Sequence, residues 1–174
     1  MKKTLVINLI GGPGCGKSTT AAGIFYELKK NGVDCEMSLE FAKDKVWENS
    51  LQTLDDQIYV FGKQFHKLWR LNGKVDVVIT DSPLLVSCYY NKEESNYFDD
   101  FVVEQYNRFD NLLFFIERTE QYQENGRIQS EEESKKIDCV LKNIMDARGI
   151  TYEIVKCDNA VSEITNKILT EIFG

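Results

Sequence analysis

The stretch Gly11-Gly12-Pro13-Gly14-Cys15-Gly16-Lys17-Ser18 decides how the rest of this chain is read. It fits GxxxxGK[ST], a phosphate-binding loop. Glycines let the backbone curl so that successive N–H groups point inward at phosphate oxygens. A helix starting at the loop's end adds its positive N-terminus. A lysine in the Lys17 position reaches the β- and γ-phosphates of a nucleotide, and a hydroxyl in the Ser18 position ligates Mg²⁺. Gly12, Pro13, Gly14, Cys15, Gly16, Lys17, Ser18 and Thr19 are therefore the candidate nucleotide-binding residues. Lys17 is also a candidate for catalysis and Ser18 for metal binding. Thr19 reads equally as an α-phosphate contact or as a plain helix residue.

The flanks supply the context the motif requires. Residues 4–10 (TLVINLI) are a short apolar run ending in glycines, which predicts a buried strand. Residues 18–30 carry Ala21, Ala22, Ile24, Phe25 and Leu28 at helical spacing and stop at Asn31-Gly32, a C-cap signal. Beyond them the alternation continues, with strands at 33–40, 75–80, 112–116 and 151–155. Helices are expected at 55–71, with Ile58, Phe61, Phe65, Leu68 and Trp69 on one face, and from Glu131 to about Arg148. Ser130-Glu131-Glu132-Glu133 is a capping box opening the latter. A last helix, capped by Asp158 or Asn159, runs to about Phe173. Strands alternating with helices predict a parallel sheet with right-handed crossovers. The fold expected is thus a three-layer α/β domain. Residues 83–110 have no clean period and are expected to hold helices with an irregular, mobile insert near 91–98.

Further candidates lie at predicted strand ends, where open α/β sheets bind ligands. Asp81 follows Val77-Val78-Ile79-Thr80 and reads as a Walker-B carboxylate holding Mg²⁺, or as the N-cap of a helix beginning near Ser82-Pro83. Glu40 ends the second strand and is placed to take a proton from a substrate hydroxyl, with Asp44 as an alternative one helical turn on. Arg118 follows the fourth strand, and Arg127 lies in a polar, lid-like loop after the turn signal Asn125-Gly126. Arginines there would stabilise charge in phosphoryl transfer, or simply be exposed. Lys63, Lys67 and Arg70 form a basic stripe that reads as a solvated face, or as a wall of an acceptor site with Gln64 bonding a base or amide. His66 is assigned no role. Phe61, Phe65 and Trp69 read as core before stacking platform. Asp158 or Asn159 lies where such folds place the loop near a nucleotide base.

Composition bounds the alternatives. The chain has 174 residues, 43% hydrophobic and 28% charged, enough for one domain spanning 1–174 with a core of its own. Its apolar runs are too short to span a bilayer, and its start lacks the apolar core of a secretory signal, so a cytoplasmic protein without a membrane partner is expected. The net charge of −7 argues against a strongly basic nucleic-acid-binding coat. Five cysteines, none in a CxxC pair, and one histidine draw no ordinary zinc site, which leaves reduced thiols.

Taken together, GGPGCGKST (11–19), Glu40-Phe41-Ala42-Lys43-Asp44, VVITDSPLL (77–85) and ENGRIQSEEE (124–133) resemble the P-loop kinases. Within them the chain is similar to the NadR-like, AAA-type nucleotide-kinase family and to small phage-encoded ATP-binding proteins. The likeness covers about residues 4–160. It implies a P-loop NTPase fold with sheet order 2-3-1-4-5, ATP with Mg²⁺ as donor, and an acceptor bound near Glu40 and Asp81. It includes ribosylnicotinamide kinases, from which Asp81-Ser82-Pro83 departs. The lid is expected at about 118–131. The activity expected is transfer of the γ-phosphoryl of ATP to a hydroxyl of a nucleoside- or nucleotide-like molecule. On this reading Lys17, Glu40, Asp81, Arg127 and Arg118 are catalytic, and Ser18 and Asp81 hold the metal. Two alternatives stand beside it: a kinase acting on a nucleic-acid 5′ end or hydroxymethylated base, and an NTP-hydrolysing regulatory protein. Homo-oligomerisation is left open.

Overall fold

A computed structural model of the chain describes residues 3–91, 96–118 and 131–173. Its first strand, β1 (Leu5–Ile10), is buried throughout and lies at the centre of the sheet. An all-apolar strand suits that place, because both of its faces are covered. Alternate β1 residues feed two cores. Leu5, Ile7 and Leu9 pack with Ile24, Leu28, Val77, Ile79, Phe114, Ile116, Ile164 and Ile168. Val6 and Ile10 pack with Phe61, Leu68, Val78, Leu84, Phe115, Leu141 and Met145 on the other face. This period of two is the pleat of a strand.

The remaining elements follow in alternation: α1 (Lys17–Lys30), β2 (Cys35–Ser38), α2 (Phe41–Trp47), a 3₁₀ segment (Leu51–Asp55), α3 (Gln57–Trp69), β3 (Val77–Thr80), α4 (Val86–Tyr90), α5 (Tyr97–Tyr106), β4 (Asp110–Glu117), α6 (Glu131–Ala147), β5 (Glu153–Lys156) and α7 (Cys157–Phe173). The five strands form one sheet in the order β2-β3-β1-β4-β5, with every pairing parallel. This is the predicted order. Register then builds the site. Asn8 pairs with Thr80, and Thr80 with Ser38. The chain therefore leaves β1, β3 and β2 at one level, and the loop from Gly11, Asp81 and Glu40 emerge together at the carboxyl edge.

Several local expectations are corrected. Strand β2 is four residues, shorter than the predicted 33–40. Helix α2 starts at Phe41, directly after it. On α3 the buried residues are Phe61, Gln64 and Leu68. Ile58 and Trp69, assigned to that face from the sequence, are 72% and 55% exposed. Ile58 lies in the first turn, past the end of the core. Trp69 is about 100° round the helix from Leu68 and stacks on His66, with centroids 5.9 Å apart. Helix α7 begins at Cys157, so Asp158 and Asn159 sit inside its first turn and not at the N-cap position. Helix α4 starts at Val86 with Leu85 before it, which removes the N-cap reading of Asp81. The irregular segment does hold two helices, α4 and α5. Of the expected insert at 91–98, Tyr97 and Phe98 belong to α5, and 92–95 lie outside the described residues, as does the capping residue Ser130.

Candidate active site

The phosphate loop closes between β1 and α1. Gly16 precedes α1 with φ of 89°, a left-handed conformation that only glycine adopts at little cost. A side chain there would also run into the Cys157 sulfur. The Gly16 carbonyl accepts the Thr20 N–H at 2.9 Å, which starts the helix. Lys17 turns back over its own loop. Its Nζ donates to the carbonyls of Gly11 (2.8 Å) and Gly12 (3.0 Å) and lies 3.8 Å from the Cys15 sulfur. Ser18 and Thr19 are exposed in the first turn of α1, which carries no acidic residue there to repel an anion.

The Ser18 hydroxyl donates to Asp81 Oδ2 at 2.6 Å. Asp81 is only 3% exposed, and its Oδ1 accepts the backbone N–H of Glu40 at 3.0 Å. One buried carboxylate thus ties α1, β3 and the end of β2 together. The backbone around Glu40 is held on both sides as well. Lys67 Nζ donates to the Leu39 carbonyl at 3.0 Å, and the Phe41 N–H donates to Gln64 Oε1 at 3.0 Å. Gln64 is buried, and its Nε2 has no partner among the described residues. Burial pushes the Glu40 carboxyl above its usual range. The Lys17 ammonium opposes that shift, and the negative charges of Asp81 and Asp44 add to it. Burial first, then the Glu40 charge and Tyr89, push the Tyr90 phenol up to about 12. Asp44, the alternative base, is exposed and pairs with Lys67 at 3.6 Å.

Arg118 leaves β4 and forms an ion pair with Asp138 of α6, its Nη2 lying 2.5 Å from Oδ2. Its Nη1 is 3.4 Å from the Pro13 carbonyl, so the guanidinium sits beside the phosphate loop. Arg127 lies outside the described residues, as do residues 119–130 of the lid expected at about 118–131. The basic stripe on α3 is partly engaged. Lys67 holds Leu39 and Asp44, and Lys63 sits over the Tyr59 ring, 5.2 Å from its centroid. Asp138 and Tyr90 were missed by sequence reasoning. Neither has a motif: Asp138 lies mid-helix, and its contact with Gly12 spans 126 positions.

The donor set is suited to a hard cation. The Ser18 hydroxyl and the Asp81 carboxylate are oxygen ligands already in contact, the chemistry Mg²⁺ selects. Among the described residues no three His, Cys, Asp or Glu side chains cluster as a metal site, and the five cysteines are free thiols. Among the same residues no helix is long and apolar enough to cross a membrane.

Comparison with known proteins agrees with this fold. A family model described as an AAA domain matches residues 6–161. A solved structure described as NadR protein in complex with NR superposes over 96% of this chain with a TM-score of 0.69 at 16% identity. The chain spans about half the length of that protein, 51%. At such identity the likeness speaks for the fold. No curated protein matches the chain in sequence. With a phosphate loop between β1 and α1, sheet order 2-3-1-4-5 and a family match over most of its length, the chain belongs to the AAA domain family and has the P-loop NTPase fold.

Proposed function

We propose that this protein is a kinase that transfers the γ-phosphoryl group of ATP to a hydroxyl of a nucleoside-like small molecule. The observation that carries the reading is the Ser18–Asp81–Glu40 linkage: a hydroxyl and a carboxylate 2.6 Å apart, with a second carboxylate anchored to the first through its own backbone. A hydrolase or switch needs the metal pair; it does not need a second carboxyl, raised above its usual range, on the residue whose backbone N–H binds Asp81. A phosphoryl acceptor gives that carboxyl a use.

In this mechanism Ser18 and Asp81 would hold Mg²⁺, which would neutralise charge on the nucleotide phosphates. Lys17 leaves the Gly11 and Gly12 carbonyls for those phosphates. Glu40 hydrogen-bonds the acceptor hydroxyl and fixes its direction. The acceptor oxygen bonds to the γ-phosphorus, the bond to the β–γ bridging oxygen breaks, and ADP leaves with that electron pair. The hydroxyl proton passes to the Glu40 carboxylate. Arg118, with Arg127 from the lid-like segment, clamps the transferring group. General-base help of this kind is worth about 10²–10⁴ in rate.

A nucleic-acid acceptor ranks lower. Lys67, the centre of the basic stripe that motivates it, is occupied with the Leu39 carbonyl and Asp44. The test is product analysis after incubation with Mg²⁺·ATP and separate pools of nucleosides (NR among them, the ligand in the NadR structure's description), nucleoside monophosphates, and 5′-hydroxyl or hydroxymethylated DNA. A phosphorylated nucleoside supports the reading. Phosphorylated DNA alone favours the second.

A further inference from the structure

Asp138 is absent from the mechanism above, yet it contacts both the phosphate loop and Arg118. It lies on α6, the helix that follows the lid-like segment, while Arg118 lies at that segment's start. Its Oδ1 accepts the Gly12 N–H at 2.5 Å. Its Oδ2 accepts from Arg118 Nη2 at 2.5 Å and from Nε at 3.1 Å. Both side chains are largely covered, 11% exposed for Arg118 and 18% for Asp138. The packing leaves no spare room. A Cβ on Gly12 would come within 2.6 Å of the Ser134 carbonyl, 2.9 Å of Asp138 Oδ1 and 3.0 Å of Arg118 Nη2. The helix after the lid-like segment therefore lies directly on the bare backbone of the phosphate loop, with one carboxylate at the join.

The electrostatics give this join a direction. A free arginine loses rotamer freedom when a ligand fixes it. A two-point grip by a carboxylate removes that freedom before the ligand arrives, which is preorganisation. The grip uses the Nε–H and one Nη2–H, while Nη1 lies toward the loop, 3.4 Å from the Pro13 carbonyl. Donors remain for an anion. We propose that Asp138 is a positioning residue that holds Arg118 at the mouth of the phosphate loop, so that the guanidinium meets the nucleotide phosphates already oriented. Asp138 acts through Arg118 and does not touch the nucleotide. The proposal rests on the nucleotide-binding half of the function above and not on the identity of the acceptor.

The experiment is calorimetric titration of Mg²⁺·ATP and of Mg²⁺·ADP into the full-length chain, with melting temperatures measured in parallel. The variants are Asp138→Asn, Arg118→Ala, Arg118→Lys and the double Asp138→Asn/Arg118→Ala. Asn keeps the shape and an oxygen for Gly12 but loses the charge that grips arginine. Each of Asp138→Asn and Arg118→Ala weakens ATP binding about tenfold, the loss of one charge-assisted contact. The double variant is no weaker than Arg118→Ala alone. Arg118→Lys, charged but without the fork, falls between wild type and Arg118→Ala. A purely structural role would lower the melting temperature of Asp138→Asn and leave the affinity of the folded protein unchanged, which overturns the proposal. So do losses that add fully in the double variant, or tighter ATP binding by Asp138→Asn, which would mean that Asp138 masks Arg118 instead of aiming it. A wild-type chain that binds Mg²⁺·ATP but phosphorylates no acceptor defeats the kinase reading and leaves this comparison intact. One that does not bind Mg²⁺·ATP defeats both.

Discussion

At the scale of residues, Glu40 is where stability and function oppose each other. Burial raises its carboxyl above the ordinary value of 4.5. A folded-state pKa above the unfolded one means that the fold favours the protonated carboxyl. That contribution is complete below 4.5 and is lost as pH rises through the raised value. Glu40→Gln is therefore expected to melt higher than wild type near neutral pH, with the difference vanishing below about 4.5. The same variant loses about 10²–10⁴ of the transfer rate if Glu40 is the base. The acid limb of the wild-type rate profile should lie above the usual carboxylate range, because the base works only when ionised. A limb at the ordinary value, or no limb, counts against Glu40. Lys17, Ser18 and Asp81 were legible in the sequence because the phosphate loop and the strand end are local patterns. Asp138 was not, because what distinguishes it is a contact made across the fold.

At the scale of elements, the short turn from β2 into α2 carries the mechanism. Three consecutive residues there are gripped by three side chains: Leu39 by Lys67, Glu40 by Asp81 and Phe41 by Gln64. Gln64→Leu keeps the volume but strands the buried Phe41 N–H. A cost of about 1–3 kcal/mol is expected in denaturant unfolding. The aim of Glu40 should loosen too, seen as a lower kcat with a smaller change in the KM for ATP. Equal stability and unchanged kcat would show that the turn is held by other means. The sequence revealed α3 but misjudged its face, because Ile58 and Trp69 satisfy the helical period as well as Gln64 does. Apolar spacing alone favours the hydrophobic pair. The structure gives the middle of the face to a glutamine, since that position borders a backbone N–H that must be satisfied.

At the scale of the molecule, fold and site share a cause, the parallel register of β1, β3 and β2. Ile7 is fully buried in the central strand, within the core shared by α1 and α7. Ile7→Ala is expected to cost about 2–5 kcal/mol of unfolding free energy. ATP affinity measured where the variant is still folded should be little changed, because the loop's own hydrogen bonds remain. The fold was readable at this scale because apolar strands alternate with capped helices. The acceptor was not, because no local motif of this sequence names one. A kinase couples ATP turnover to an acceptor hydroxyl. The most direct measurement follows γ-labelled ATP with Mg²⁺, with and without nucleoside acceptor, in wild type, Lys17→Ala and Glu40→Gln. ADP and labelled acceptor are expected to form one for one, dependent on the nucleoside, and not at all in Lys17→Ala. Label released only as inorganic phosphate at a rate indifferent to nucleoside, or turnover that survives in Lys17→Ala, would contradict the kinase reading.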